Sequence, residues 1–361
     1  MLRLEPRAEP SRLMTVLAQL IAVTATMVAG GILFWFLGKN PFEVIRIIFW
    51  DPLFDENLSS YARPQLLVKA APLILIALGL SLGFRAGIWN IGAEGQFIIG
   101  AIFGAGAGLA FYPAESAIIF PLMVFAGALG GFLWAMIPAI LKTRFNTNEI
   151  LVSLLLVYVA ELILASMSLG LMRNPEGSGF PGSRNFRSYP SAHNAELIAN
   201  TGIHWGVITT VFALAVACVL LQRHMLGYQI RLAGQAARAA RFSGVNPAGL
   251  VIICLGISGS AAGLAGMFEV SGPSGQISID FNAGYGFTAI IVAFLGRLNP
   301  IGIMFAGLLL ALTYIGGELA SLRLGLPSAA IQVFQGMFLF FMLATDVLVT
   351  FCLRWRSRMA I

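Results

Sequence analysis

Charge is scarce in this chain: Asp, Glu, Lys and Arg make up 11% of 361 residues, where a soluble domain carries roughly a quarter. No polar stretch is long enough to form a separate soluble core, and with 58% hydrophobic residues and a mean hydropathy of +0.86 water is not the main solvent. Cysteine is rare too. Cys218, Cys254 and Cys352 lie within or at the end of apolar segments at no metal-ligand spacing, which argues against a zinc site and says little about redox compartment. The three histidines, His193, His204 and His224, fall in or beside loops with no H-E-x-x-H or paired-Asp pattern, so an intramembrane enzyme has no catalytic constellation to use. The net charge of +6 and pI near 9.5 arise from short basic clusters between apolar runs, not from one basic module, and nucleic acid is not an expected partner. The first apolar run, Leu13 to Leu37, is too long for a signal-peptide core and lacks a small-residue cleavage site; it is expected to be a retained helix.

What the chain has in excess is long apolar runs and glycine. About 20 apolar residues span the hydrocarbon core of a bilayer, and ten candidate spans emerge, near residues 13–37, 66–83, 91–111, 117–140, 149–171, 203–222, 247–268, 285–296, 301–319 and 328–352. The eighth is too short to cross alone. The expected fold class is therefore all-α: a polytopic membrane protein of about ten transmembrane helices in one membrane domain, residues 1–361. With the N-terminus inside, 14 of the 22 basic residues fall on the cytoplasmic side, among them Arg85, Lys142, Arg144, Arg231 and Arg297. That split obeys the positive-inside rule and predicts both termini in the cytoplasm, with a cytoplasmic N-terminal segment at 1–12. Two long outer connections, about 38–65 and 172–202, are too small to be catalytic domains; each is either a passive cap or a docking surface for an external partner. The 40 glycines include small-xxx-small stripes at Gly100, Gly104 and Gly108, at Gly79 and Gly83, at Gly127 and Gly131, and at Gly259 and Gly263, which predict close helix contacts.

One span begins with a polar break. Gly87-Ile88-Trp89-Asn90-Ile91-Gly92-Ala93-Glu94-Gly95-Gln96 places three polar side chains among three glycines. An ionisable group at membrane depth is costly and is kept where it faces protein or a water-filled cavity. Broken helix starts recur at transporter substrate sites, where freed backbone groups line such a cavity. Asn90, Glu94 and Gln96 are thus candidates to line a translocation pathway for a hydroxyl-rich solute, and equally candidates to cap and cross-link helices. Two further intramembrane acids, Glu161 and Asp346, would serve a proton relay in a proton- or sodium-coupled secondary transporter, the rival class.

The longest internal loop, 223–246, holds a glycine-bounded stretch that ends in Asn-Pro. At about 100° per residue Arg231, Arg238 and Arg241 fall within roughly 80° of one another. The spacing predicts one short amphipathic helix. Its apolar face is mostly alanine, which buries little area against lipid and suits docking flush into a protein groove; both readings stay open.

At these places the sequence resembles the permease subunits of bacterial ABC importers in the branched-chain amino acid, ribose and simple-sugar group, most of all the nucleoside and simple-sugar permeases. The resemblance rests on FRAGIWNIGAEGQFIIGA at 84–101, IRLAGQAARAARFSGVNPAG at 230–249, GYGFTAIIVAFLGRLNPIGI at 284–303 and NPEGSGFPGSRNF at 174–186. It implies a type II importer architecture whose spans after the first form two inverted halves, the short segment near 284–296 answering the broken one near 87–96. It also implies alternating access, with transport of a nucleoside or simple sugar. The partners implied are a cytoplasmic ABC ATPase subunit, a second permease subunit, identical or similar, and an extracytoplasmic solute-binding protein, with the bilayer of the cell (inner) membrane around them. Coupling to the ATPase would then run through Arg231, Gly234, Arg238, Arg241, Gly244 and Asn246. No cofactor is expected on this chain, ATP being bound by the partner; no G-x-x-x-x-G-K-[ST] run is present.

Overall fold

The computed structural model describes residues 2–6, 12–177, 179–281 and 284–355. Among them, nine helices are long and apolar enough to cross a bilayer: α1 (Arg12–Phe36), α4 (Ser59–Arg85), α5 (Ala93–Ala110), α6 (Ile119–Phe145), α7 (Glu149–Leu169), α8 (Trp205–Arg223), α11 (Pro247–Ser271), α13 (Pro300–Leu324) and α14 (Ser328–Thr350). The tenth expected span is α12 (Tyr285–Leu295), with 11 residues. At 1.5 Å per residue it covers about 16 Å, roughly half a hydrocarbon core. Four short helices come from regions where no helix, or only one, was expected: α2 (Pro41–Phe49) and α3 (Asp51–Phe54) in the first outer connection, and α9 (Met225–Gln235) and α10 (Ala237–Phe242) in the long internal loop. The all-α expectation holds for the spans. It missed a two-stranded antiparallel ribbon, β1 (Leu2–Pro6) on β2 (Phe351–Trp355), with Leu2 opposite Trp355 and Pro6 opposite Phe351.

The chain divides into two compact units, residues 1–63 with 312–361 and residues 64–311. In the first, α1 and α14 meet at Phe34 and Phe334, whose ring centroids lie 5.4 Å apart, and Gly30 leaves room for the Phe334 ring. The buried Asp51 carboxylate holds two cations, Arg323 at 2.9 Å and Arg46 at 3.2 Å, which offsets the cost of taking a carboxylate from water.

The second unit is built on α5, α6 and α11. Apolar residues surround all three helices, as expected of helices that face other helices or lipid, and the glycine stripes face one another. A Cβ at Gly100 would overlap Gly263, one at Gly131 would overlap the Gly259 carbonyl, and one at Gly263 would overlap the Gly127 carbonyl and stand 2.9 Å from the Gly131 Cα. In lipid no hydrophobic force drives helices together, so this backbone proximity and the dispersion contacts it allows hold the bundle. Gly263→Ala is therefore expected to lower the thermal midpoint of the detergent-solubilised protein, by about 1–3 kcal/mol of overpacking. Gly336→Ala, where nothing lies within 4 Å of the added carbon, is expected to leave it unchanged or slightly raised; equal effects at the two positions would refute the packing argument.

Candidate functional site

The polar break follows directly from the end of α4. The Gly83 carbonyl accepts the Ala86 and Ile88 amides, each at 2.9 Å, and Gly87 takes the left-handed conformation at φ 75°, so the helix stops and the chain runs without regular structure to Gly92. Asn90 and Gln96 then pair reciprocally: Asn90 Nδ2 donates to Gln96 Oε1 at 2.8 Å, and Gln96 Nε2 donates to Asn90 Oδ1 at 3.1 Å. Asn90 also donates to Ser258 Oγ on α11 at 2.9 Å and accepts the Gly92 amide at 3.0 Å. The freed Ile91 amide finds Ser153 Oγ on α7 at 3.3 Å.

Glu94, fully buried, reaches a different helix. Its carboxyl oxygens accept the Gly284 amide at 3.1 Å and the Gly286 amide, the first donors of α12. Gly284, the residue preceding α12, sits at φ 72° with no side chain to cap the helix, and Glu94 supplies the missing acceptor at the positive end of the α12 dipole. A Cβ at Gly286 would overlap the Glu94 backbone. Beside this junction Phe97 stacks on Phe281 with centroids 5.4 Å apart, Tyr285 lies 5.7 Å from Phe97, and Lys69 Nζ is 3.5 Å from the Tyr285 hydroxyl.

All three sequence candidates thus come together, but turned toward protein: Asn90 and Gln96 toward each other and α11, Glu94 toward α12. Sequence reasoning missed Ser153, Ser258 and the α12 amides. The short glycine-flanked segment at 284–286 was the available signal for the last of these. Glu94→Ala would leave the buried Gly286 amide and the half-buried Gly284 amide at the start of α12 without this acceptor, at about 1–3 kcal/mol for the buried one. A fall in thermal midpoint larger than that of Gln96→Ala, which strips one neutral amide pair, is the expected result in detergent.

The internal loop departs from expectation. A single helix over this stretch is not formed: Ala236, at φ −151° and ψ 77°, separates α9 from α10. The break lets Ile230 of α9 and Ala240 of α10 both join one buried apolar cluster with Leu221, Val245, Leu250 and Cys254, and this burial outweighs the helix preference of the alanines. Arg231 consequently leaves the other two arginines and donates to the Leu221 carbonyl at the end of α8. Gly234 lies flush on the Arg85 carbonyl, where a Cβ would overlap the oxygen. Gly244 turns at φ 84°, and Asn246 Oδ1 caps α11 by accepting the Ala248 and Gly249 amides at 3.1 and 3.3 Å. Four of the six loop candidates therefore build the segment. Arg238 and Arg241 are exposed on α10 beside Phe242, which is 94% exposed and was absent from the sequence candidates.

The second outer connection is folded onto the turn after α11. Ser183 and Ile277 exchange hydrogen bonds of 2.8 and 2.9 Å, and the Phe186 amide donates to the Gly275 carbonyl at 2.7 Å. A cavity of about 450 Å³ lies nearby, lined by Gly106, Leu109, Tyr112, Met172, Arg173 and Arg184 among others. Arg184 spans Tyr112, 4.3 Å from its ring centroid, and pairs with Glu176.

Where the connection enters α8, His204 Nδ1 accepts the Gly206 amide and lies 3.0 Å from Asn194 Nδ2, while His204 Nε2 is buried with no hydrogen-bond partner among the described residues. Burial, with a smaller contribution from His193, pushes the imidazole down to about 4. An unfolded histidine near 6.5 takes up a proton that the folded one refuses, so stability is full above about pH 6.5 and is lost as pH falls toward 4, by up to about 3 kcal/mol. The thermal midpoint should drop between about pH 7 and pH 4.5 more in the wild type than in His204→Asn, which keeps a neutral capping side chain.

A sequence model of the family described as Branched-chain amino acid transport system / permease component matches residues 64–343. The chain belongs to this family. It is 31% identical over 356 residues to the glucose ABC transporter permease protein of Haloferax volcanii, covering 96% of this chain and 91% of that one. It is 27% identical over 331 residues to the guanosine ABC transporter permease protein of Bacillus subtilis, covering 91% and 93%. A nucleoside ABC transporter permease protein of Lactococcus lactis subsp. cremoris is 28% identical over 335 residues, covering 90% of each chain. A solved metal-chelate type ABC transporter in an inward-facing conformation aligns over 92% of this chain and 98% of its own, with a TM-score of 0.46 and 16% identity. This permease is therefore a multi-pass membrane transport subunit.

Proposed function

We propose that this permease carries a small polar solute, a simple sugar or a nucleoside, into the cell by alternating access driven by ATP on a separate subunit. The observation that carries the reading is the near full-length similarity to a permease named for glucose, with permeases named for guanosine and nucleosides beside it. Within it, the exposed Arg238, Arg241 and Phe242 of α10 are the face a cytoplasmic ABC ATPase would hold: two arginines and an aromatic ring, residue types enriched at protein interfaces. Asn90, Glu94 and Gln96 fix the broken start of α5 against α11 and α12, so that the start of α5 moves with those helices as the pathway switches between faces. A second permease, an external solute-binding protein seated on the outer connections, and both termini in the cytoplasm complete the arrangement, the last supported by the positive-inside split.

Vesicles carrying the permease with its ATPase partner and second permease are expected to accumulate glucose or guanosine with ATP, to stop when ATP is removed, and to be indifferent to a protonophore. Collapse with the protonophore and survival without ATP would make the protein a secondary transporter. Phe242→Asp, which puts a negative charge at the exposed ring, is expected to cut ATPase association at least about tenfold, read by co-purification.

A further inference from the structure

Two aromatic groups flank the short helix α12. At its start Tyr285 meets Phe97. At its end Phe294 stacks on Phe84 at 5.0 Å and 20° and on Trp89 at 5.6 Å and 23°, while Phe84 and Trp89 lie 5.3 Å apart. The second group joins three separate pieces of chain: the last turn of α4, the break, and the end of α12. Trp89 remains 39% exposed, although the break residues on either side of it, Ile88 and Asn90, are buried. Its segment turns away from α4 at Gly87, which has a left-handed φ of 75° and nothing within 4 Å of where a side chain would begin. Rings that meet from three separate pieces of chain can part without breaking a helix.

The same place is gripped from the loop that would face the ATPase. Gly234 of α9 presses on the peptide after Arg85, with the Arg85 carbonyl carbon 3.0 Å from where its Cβ would stand. The Arg85 guanidinium reaches across to α12, Nε donating to the Leu298 carbonyl at 2.9 Å, just beyond Phe294. Leu298 and Arg297 form a tight turn with positive φ of 56° and 53°, and the Leu298 amide is bound back to the Ala293 carbonyl at 2.8 Å. Displacing α9 therefore acts on the α4 end and, through one charge-assisted hydrogen bond, on the α12 end, the two walls that hold Phe84 and Phe294. Ile88, next to Trp89, shares its apolar cluster with Ile230 of α9 and Ala240 of α10.

We propose that the Phe84, Trp89 and Phe294 stack closes the inner end of the pathway, and that Gly234, Arg85 and Leu298 form the clasp through which the coupling loop opens it. This rests on the importer reading above and adds to it the closing group and the positioning residues. Aromatic faces there also suit a nucleoside, because nucleobases stack on aromatic side chains.

The test uses the reconstituted assembly with its ATPase, and glucose and guanosine as probes. Arg85→Gln and Gly234→Ala are expected to reduce ATP-driven uptake at least about tenfold while ATPase turnover per assembled complex stays within about twofold of wild type, the mark of uncoupling. Parallel loss of both rates, or no loss of uptake, overturns the clasp. Should Gly234→Ala fail to assemble, Arg85→Gln, which adds no bulk, decides. Separately, vesicles preloaded with either probe and given no ATP should leak at least about fivefold faster with Phe294→Ala than with wild type. Vesicles as tight as wild type overturn the gate. Absence of ATP-driven uptake by the wild-type assembly would instead count against the importer reading, and the leak measurement, which needs no ATP, still decides the stack.

Discussion

The constraint on which this structure turns is that a backbone amide freed inside a membrane must find an acceptor within the protein, since lipid offers none. The chain interrupts its helices at 86–92 and again before α12, and each interruption releases donors. Asn90 takes the Gly92 amide, Ser153 takes that of Ile91, and Glu94 takes those of Gly284 and Gly286. The last pair joins the two interruptions to each other. An acid that would be a burden on its own becomes the cap of a helix that has none, and a helix of 11 residues gains a fixed starting point.

This arrangement requires backbones to come very close, which explains the distribution of glycine. Gly286 admits the Glu94 backbone, and Gly100, Gly131 and Gly263 admit one another where α5, α6 and α11 cross. With the bundle drawn tight, Ser258 on α11 falls within 2.9 Å of Asn90, so the polar network is a consequence of the packing and also locks it. A network satisfied in full rigidifies the core around it. Outside that network the chain changes direction at Gly87, at the Ala236 break and at the turn of Arg297 and Leu298.

Function follows from where that network and those turns lie. The family assigns the chain to membrane transport, and the geometry distributes the work. A fixed junction at Glu94 anchors one end of α12. The Arg85 contact to Leu298 holds the other, and Gly234, which lies on the Arg85 carbonyl, belongs to the same loop as the exposed Phe242 and the exposed Arg238 and Arg241. This short helix is held at both ends and carries aromatic rings at both.

Much of this was legible in the sequence, for a physical reason. Span number, approximate boundaries and the glycine contacts follow from run length, charge scarcity and small-residue spacing, which act locally and leave a periodic trace; even the shortness of the 285–296 span is visible there. The polar break was visible as well, because glycines and an acid cannot sit in an apolar run without a structural cause. What those polar groups face depends on which helices become neighbours, and that is set by packing across the second unit. The same holds for the internal loop, where helical periodicity over 231–241 predicted one face with three arginines. Burial of Ile230 and Ala240 in a common cluster broke the helix at Ala236, sent Arg231 to the end of α8 and left Phe242 in the open. The sequence by itself determined a polytopic helical membrane chain with an interruption in one span; of the ten spans it predicted, nine correspond, among the described residues, to helices long and apolar enough to cross. Tertiary structure alone decided the partners at that interruption, because hydrogen-bond satisfaction in lipid is settled between helices and not along them.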